Sequence, residues 1–543
     1  MSIRARDTTS VTQTSGADLL APGCRLVASI GGTQPEALDR RMRGVDTRAD
    51  LLELRLDRVP RDQVTGLVSA SPLPVIATCR RGADGGLFEG DEVERAARLR
   101  AAARAGASWV DVEWGSDLAR SAEAFAPARV ILSWHDYSGT PPDLGEKLRA
   151  MRGVGGATWI KLVTTARGLG DLAPLRELLR SGSEGGSRNG DLIAFAMGAT
   201  GAASRLLAPA WGSRATYASG ADEATAPGQI PVPDMLELYR LRRVGSATRI
   251  AGLLGRPLGH SLSPRLHNAA YDSLGLDWIY VPFESESVEA LRAFLDDLGI
   301  DGVSVTIPHK EACLAHLDEI EPLAREVGAV NTIVRRGGKL HGYNTDAEAA
   351  IAPLRAAFAP AVGGEPRASR PEEGRRDAAP LAGKRVALLG AGGAARTLAF
   401  TLRREGCRVR VFNRTPERAR RLADAAGVEW GPWNALEQEP YEVLVQATSV
   451  GMHPRIEESP LPEAWLRGSL VYDIVYNPPE TALLKAARRR GIRVLDGTEM
   501  FLGQAAAQFR LFTGSEPPLE AWRAVLAAAL DGRRFSLQGG ASA

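Results

Sequence analysis

Cysteine is scarce in this 543-residue chain: the four, Cys24, Cys79, Cys313 and Cys407, lie far apart with no CxxC pair and no Cys/His cluster. That spacing excludes a disulfide framework and a structural zinc site, so no metal is expected, and it fits a reducing cytoplasm. Long apolar runs are missing as well. No stretch supplies the roughly 20 apolar residues of a membrane span, and no apolar signal segment follows the N-terminal arginines. Residues 1–22 read as a disordered leader and 534–543 as a disordered tail. Neither sign of charge dominates, with 67 Lys and Arg against 65 Asp and Glu, which leaves no broad basic field for nucleic acid or an anionic membrane. Small polar or anionic ligands remain. The length exceeds what one core ordinarily fills, so several domains are expected.

What is present is a rhythm. Short apolar or alternating runs recur along the first part as CRLVASI, DLLELRLD, PVIATCR, WVDVEW, RVILSWHD, TWIKLVT, DLIAFAMG and ATYAS. Segments such as DEVERAARLRAAARAG lie between them, with apolar residues repeating at three and four. Eight such alternations are the arithmetic of a (βα)8 TIM barrel, with a doubly wound sheet as the alternative.

In a barrel the site is built from strand C-terminal ends, while deeper side chains fill the core. The ends here carry Ser29, Glu53 and Arg55, Arg80, Glu113, His135 with Asp136, and Lys161. Glu53 and Arg55 are two apart on a strand and face one way, which requires a polar cavity. An inward lysine in the apolar run WIKLVTT is desolvated, which depresses its pKa and makes its amine a nucleophile suited to a Schiff base. Each residue alone has a plainer account. A strand lysine snorkels or pairs with a carboxylate, a strand-end histidine is simply satisfied, and Asp136 caps the next segment. Together they are hard to explain as separate accidents.

These residues resemble the type I 3-dehydroquinate dehydratases, through ELR at Glu53 to Arg55, TCR at Thr78 to Arg80, SWHDY around His135, IK at Lys161, SR at Ser204 and Arg205, and APGQ at Ala226 to Gln229. The resemblance spans Cys24 to Arg243 and implies a barrel over 23–245. It also implies that Lys161 forms an imine with the substrate ketone and that His135 takes the neighbouring proton and returns one to the departing hydroxyl. Ser29, Glu53, Arg55, Arg80, Arg205, Thr225 and Gln229 are then assigned to substrate hydroxyls and carboxylate. Two positions depart from the pattern: Asp84 stands where the family has Glu, shortening a carboxylate that could orient His135, and Thr225 replaces Ser but keeps the hydroxyl.

The chain restarts at Thr248 with TRIAGLLGRPLGHSLSPRLHNAAY, where Ser263 and Pro264 read as the N-cap and first residue of a helix. Next come GVSVTIPHK, a buried strand ending in a lysine, then GAVNTIV and GYNTD. Lys310 and Asp346 form the strong proton-transfer pair of this region, although each alone is an ordinary surface charge. The segment PAVGGEPRASRPEEGRRDAAP is too polar and too rich in Pro and Gly to fold, and reads as a flexible insertion.

Beyond it, KRVALLG is a strand, GAGGAA a glycine-rich turn over Gly390, Ala391, Gly392, Gly393 and Ala394, and RTLAFTLRREG a helix. Such a turn lets the backbone approach a pyrophosphate at the helix N-terminus. The following strand, CRVRVFNRT, has Asn413 where an NAD site carries an acid, with Arg414, Thr415 and Arg418 alongside. Cations are disfavoured at a helix start unless an anion joins them, so the reading is NADP through its 2′-phosphate.

From Thr248 to Leu530 the chain resembles shikimate dehydrogenase, through SLSP, TIPHK, AVNT, GYNTD, GAGGAA, NRT, ATSVGM, YDIVYNP and GTEMFLGQAAAQF. The resemblance implies a substrate domain at 246–350, a helix end and flexible insertion at 351–382, a Rossmann-type NADP domain at 383–498, and C-terminal helices at 499–533 packing back on the substrate domain. It sets Ser261, Ser263, Thr306, Asn331, Asp346, Tyr476 and Gln504 around the substrate, Lys310 and Asp346 as acid and base, and Thr448 and Gly497 at the cofactor. Gln446 departs from a family Asn, and a local adjustment is expected there. The two reactions are consecutive, so the expected ligands are 3-dehydroquinate, 3-dehydroshikimate and shikimate. A barrel kept only as a platform, a sensor of NADP without turnover, and quinate as the reduced pair's alcohol are the competing readings. A homodimer is left open.

Overall fold

The computed structural model describes residues 23–31, 34–184, 190–220, 224–259, 261–359 and 380–532. The expected leader, the tail and nearly all of the expected insertion lie outside the described residues. The chain divides into two compact units, Met1–Thr248 and Arg249–Ala543.

All eight predicted strands of the first unit form: β1 Arg25–Ile30, β2 Leu51–Arg55, β3 Val75–Thr78, β4 Trp109–Glu113, β5 Arg129–His135, β6 Trp159–Thr165, β7 Leu192–Met197 and β8 Ala215–Ser219. They pair in parallel in the order β7-β6-β5-β4-β3-β2-β1-β8. The last gap is bridged near its base, where Arg214 N–H donates to Leu192 O and Ala194 N–H to Ser213 Oγ.

The period of two along each strand sorts side chains into layers. An apolar floor contains Val27, Leu51, Ile76, Trp109, Ile131 and Trp159, with the two indoles stacked at 4.4 Å. The residues two further along are Ser29, Glu53, Thr78, Asp111, Ser133 and Lys161, all buried. A dry floor thus carries a polar storey directly above it.

The second unit has two sheets. The first holds β9 Arg249–Gly255, β10 Trp278–Glu284, β11 Ile300–Val305, β12 Glu319–Ile320, β13 Thr332–Arg336 and β14 Lys339–Tyr343, in the mixed order β10-β9-β11-β13-β14-β12. The second holds β15 Arg385–Leu389, β16 Arg408–Phe412, β17 Glu429–Gly431, β18 Val443–Gln446, β19 Leu470–Asp473 and β20 Arg493–Leu495, all parallel, in the order β17-β16-β15-β18-β19-β20. That is the doubly wound dinucleotide arrangement, whose ligand crevice lies where the strand order reverses between β15 and β18. Helices Thr498–Thr513 and Leu519–Leu530 return to the first sheet, burying Phe509, Phe512 and Trp522 against Leu253, Tyr271 and Tyr280.

One helix start differs from the expectation. Helix Ser263–Ser273 has Leu262 before it, and Ser263 is its first residue instead of its cap. The hydroxyl that serves the end is Ser261 Oγ, which accepts from Ser263 N–H, because two serines flank the turn and the earlier one reaches back.

Candidate active sites

In the barrel, Lys161 is 2% exposed and stands with its Nζ 2.5 Å from Asp111 Oδ2 and 3.7 Å from Glu53 Oε1, over the ring of Tyr217 at 4.7 Å. The amine is as dry as the sequence argument required, yet it is paired with a carboxylate instead of standing alone. Asp111 Oδ1 also accepts from Arg80 Nη2 at 2.9 Å and from Ser133 Oγ at 2.6 Å. Burial would raise that carboxyl, but Arg80 and then Lys161 outweigh it and hold Asp111 well below the usual carboxylate range.

Arg80 reaches onward, its Nη1 lying 3.2 Å from His135 Nδ1. A guanidinium only donates, so the neutral ring accepts at Nδ1 and keeps its proton on Nε2. Burial, then Arg80 and Lys161, depress His135 well below its ordinary value, with Asp111 the opposing charge. The ring is therefore neutral at neutral pH, with a lone pair at Nδ1.

Glu53 is fixed by Ser29 Oγ at 2.5 Å and Thr78 Oγ1 at 3.0 Å, and Ser29 Oγ meets Thr225 Oγ1 at 2.7 Å. Gln229 Oε1 accepts from Thr225 N–H and Oγ1. The arginines differ in what they have left to give. Arg55 is held by Asp57 at 2.7 Å and Arg80 by Asp111, whereas Arg205, 1% exposed, has Nε and Nη2 without partners among the described residues. Burial pulls Arg205 down to about 10, still charged at neutral pH. An uncompensated buried guanidinium is costly unless an anion meets it, and a planar carboxylate fits its fork.

Three acidic residues are engaged within the protein. Glu113 pairs with Arg95 and lies 3.6 Å from Arg80, so its charge is spent inside the protein. Asp136 does cap its turn, accepting from Ser138 N–H and Gly139 N–H. Asp84 pairs within its own loop: its Oδ2 takes Arg81 Nε at 2.6 Å, and its carbonyl accepts Tyr137 Oη–H at 2.7 Å. Asp111 is the residue that sequence reasoning missed, although the alternation in WVDVEW puts it on the same face as Glu113.

In the second unit, Lys310 Nζ lies 2.5 Å from Asp346 Oδ2, and Asn331 Nδ2 donates to Asp346 Oδ1 at 2.9 Å. Asp346 begins helix Asp346–Phe358, where the helix dipole favours a carboxylate. Thr345 Oγ1 donates to Gln504 O at 3.3 Å, and Gln504 Nε2 to Phe501 O at 2.9 Å. Phe501 stacks on Tyr476 at 3.9 Å, and Tyr476, raised by burial, is opposed by hydrogen bonds with Leu262 and Ser261. Lys310, Asp346, Asn331, Gln504, Tyr476 and Ser261 thus form one connected rim, with Ser263 buried beside it and Thr306 half-buried at the end of β11.

The residues present fit a dinucleotide. Helix Gly393–Arg404 begins with no side-chain cap, so its first amides are free for an anion, and a Cβ on Gly392 would meet open space. Gly390 has φ +115°, and a Cβ there would lie 2.8 Å from Ala447 O, so only glycine fits the turn. A Cβ on Gly393 would sit 3.2 Å from Lys310 Cδ, which brings the turn to the Lys310 stem. Ala391 and Ala394 complete this turn, and Thr448 stands across from it after β18.

Arg414 and Arg418 are exposed with no carboxylate partner among the described residues, and Asn413 Nδ2 donates to Thr415 O, shaping the turn that carries them. Gln446 is held locally: its Oε1 accepts Thr448 N–H at 2.9 Å and its Nε2 donates to Val450 O at 3.0 Å. A Cβ on Gly497 would clash with Ile474 O at 2.2 Å, so that glycine serves the close approach of two backbones.

Comparison with known proteins covers both units. The family model of type I 3-dehydroquinase matches residues 26–246. The shikimate dehydrogenase substrate binding domain matches 253–333, the shikimate / quinate 5-dehydrogenase model 372–475, and the shikimate 5′-dehydrogenase C-terminal domain 497–527. A chloroplastic bifunctional 3-dehydroquinate dehydratase/shikimate dehydrogenase of Arabidopsis thaliana is 37% identical over 489 residues, covering 87% of this chain and 79% of that one. An NADP(+) shikimate dehydrogenase of Moorella thermoacetica is 43% identical over 303 residues, covering 53% of this chain and 96% of the relative. A solved dehydroquinate dehydratase and shikimate dehydrogenase from S. pombe aligns with 26% identity and a TM-score of 0.40, over 93% of this chain and 98% of that chain.

Proposed function

The chain belongs to the family of bifunctional 3-dehydroquinate dehydratase/shikimate dehydrogenases, and we propose that it runs both reactions: 3-dehydroquinate is dehydrated to 3-dehydroshikimate in the barrel, and 3-dehydroshikimate is reduced to shikimate with NADPH in the second unit. The observation that carries this reading is the recurrence, at both sites, of a lysine 2.5 Å from an aspartate beside free binding groups.

In the barrel, Lys161 attacks the ring ketone and forms an imine, which draws electrons from the adjacent carbon. Neutral His135 takes that carbon's proton at Nδ1, which displaces the Arg80 contact and frees a guanidinium donor. The imidazolium so formed faces Arg80 and Lys161, a repulsion that makes it a strong acid and drives its proton to the departing hydroxyl. Arg205 holds the carboxylate, and Ser29, Glu53, Thr225 and Gln229 hold hydroxyls. Arg55, held by Asp57, joins them in binding the substrate.

In the second unit, NADPH when bound supplies the reducing equivalent. The glycine turn would hold its pyrophosphate, and Arg414 and Arg418 its 2′-phosphate. Lys310, paired with Asp346, which Asn331 steadies, delivers a proton to the ketone oxygen and takes it back in the reverse direction. Ser261, Ser263, Thr306, Tyr476 and Gln504 orient the ring.

The reading places the enzyme in the cytoplasm. It is supported by four free thiols, three of them buried, and by the finding that no helix among the described residues is long and apolar enough to cross a membrane. Sodium borohydride added with 3-dehydroquinate tests the barrel half. Mass spectrometry is expected to find a reduced substrate adduct on Lys161, and an adduct on another lysine, or none, contradicts the assignment.

A further inference from the structure

We propose that Asp111, and not the loop carboxylate Asp84, is the fixed counter-ion of the Schiff base on Lys161. This rests on the dehydratase reading above and names the charge that governs it. Asp84 is engaged elsewhere, its carboxylate by Arg81 and its carbonyl by Tyr137. Asp111 is 0% exposed, touches the reacting nitrogen at 2.5 Å, and is also held by Arg80, just beyond β3, and by Ser133 on β5. With three anchors it cannot swing away.

The chemistry favours a fixed anion at that spot. The ketone and the Lys161 ammonium give a protonated imine and one water: the carbonyl C–O bonds break, a C=N bond forms, two ammonium protons leave with the oxygen, and the third stays on nitrogen. The positive charge begins and ends on the same atom, so an anion set for the ammonium already serves the iminium and needs no reorganisation. Keeping the imine protonated keeps it an electron sink. The charged and titratable groups facing this pair are Arg80 and His135 around Asp111, Glu53 and Tyr217 around Lys161, and Glu113 behind Arg80. Two cations hold Asp111 ionised, so it acts as a charge and leaves proton transfer to His135.

The test compares Asp111→Asn, Asp111→Glu and Asp84→Asn in the full chain. Asp111→Asn should lower the dehydration kcat by about 100-fold or more. It should also move the acid limb of the kcat/KM profile to lower pH, since His135 loses the neighbouring negative charge that raises it. Asp111→Glu, which keeps the charge but displaces it, should lower kcat while leaving the acid limb where the wild type has it; this variant keeps the test decisive where the asparagine variant does not fold. Asp84→Asn should stay within about twofold of wild type in both readings. The proposal is overturned by an Asp111→Asn enzyme with unchanged kcat and pH profile, by an Asp111→Glu profile displaced in pH, or by an Asp84→Asn loss as large as that of Asp111→Asn. A wild-type enzyme that yields no borohydride adduct on Lys161 instead defeats the dehydratase reading itself.

Discussion

Lys161 and Lys310 each lie 2.5 Å from an aspartate, yet the two sites surround the pair in opposite ways. In the barrel the lysine and aspartate side chains are 3% and 0% exposed, the pair sits on a floor of stacked tryptophans, and Arg80 adds a second cation. In the second unit they are 16% and 6% exposed, the aspartate starts a helix, and a neutral asparagine is the third member. A dry amine locked to a carboxylate suits covalent bonding to a ketone, where charge must stay put. A wetter amine at a rim suits giving and regaining a proton. On the proposed reading, the same two residue types separate into nucleophile and acid through their third partner and their access to water.

The sharpest way to break this contrast is to remove each lysine in turn. Lys161→Met should cost dehydration on the order of 10,000-fold or more, because the covalent route goes with the amine, while NADPH oxidation with 3-dehydroshikimate stays within about twofold. Lys310→Ala should lower that NADPH oxidation by roughly 100- to 10,000-fold and leave the enone-forming reaction intact. Equal losses in either variant would mean that the two sites are not independent.

A third experiment sharpens the contrast through the cores. His267 in the second unit is fully buried among Tyr271, Tyr280, Phe509, Phe512 and Trp522, with both ring nitrogens unpartnered among the described residues, and burial pulls it from 6.5 to about 3. The unfolded chain binds a proton there that the folded one refuses. Its stability contribution is therefore unaffected above about pH 6.5 and becomes adverse as pH falls from there towards 3, by up to about 1.4 kcal/mol per pH unit. Denaturant titrations of His267→Leu and wild type should diverge over that range and run parallel above it. The smallest effect is at the cofactor: Arg414→Ala and Arg418→Ala should each raise the KM for NADPH about fivefold, as expected of exposed charge pairs, and leave NADH unchanged.

The barrel was legible because a period of two writes the inside of a strand directly into the chain: Glu53 and Arg55, and Lys161 in WIKLVTT, announce a polar interior. Asp111 escaped notice because strand depth alone suggests packing, and only pairing across β3, β4, β5 and β6 reveals that a lysine and an arginine converge on it. The turn of Asp84 towards Arg81 was equally hidden, since the shorter side chain was plain in the sequence but its choice of partner is a matter of loop geometry. In the second unit the glycine turn and the lysine in TIPHK were each readable, whereas the approach of Gly393 to the Lys310 stem joins segments more than eighty residues apart. The helix at Ser263 was displaced by one residue because two serines compete for one end.

The most direct trial of two dissimilar lysines serving consecutive reactions follows NADPH absorbance in one cuvette, with 3-dehydroquinate as the sole carbon substrate. Wild type should consume NADPH after a lag, Lys161→Met should not until 3-dehydroshikimate is added, and Lys310→Ala should accumulate the enone without consuming NADPH. NADPH consumption by Lys161→Met from 3-dehydroquinate alone would contradict the account.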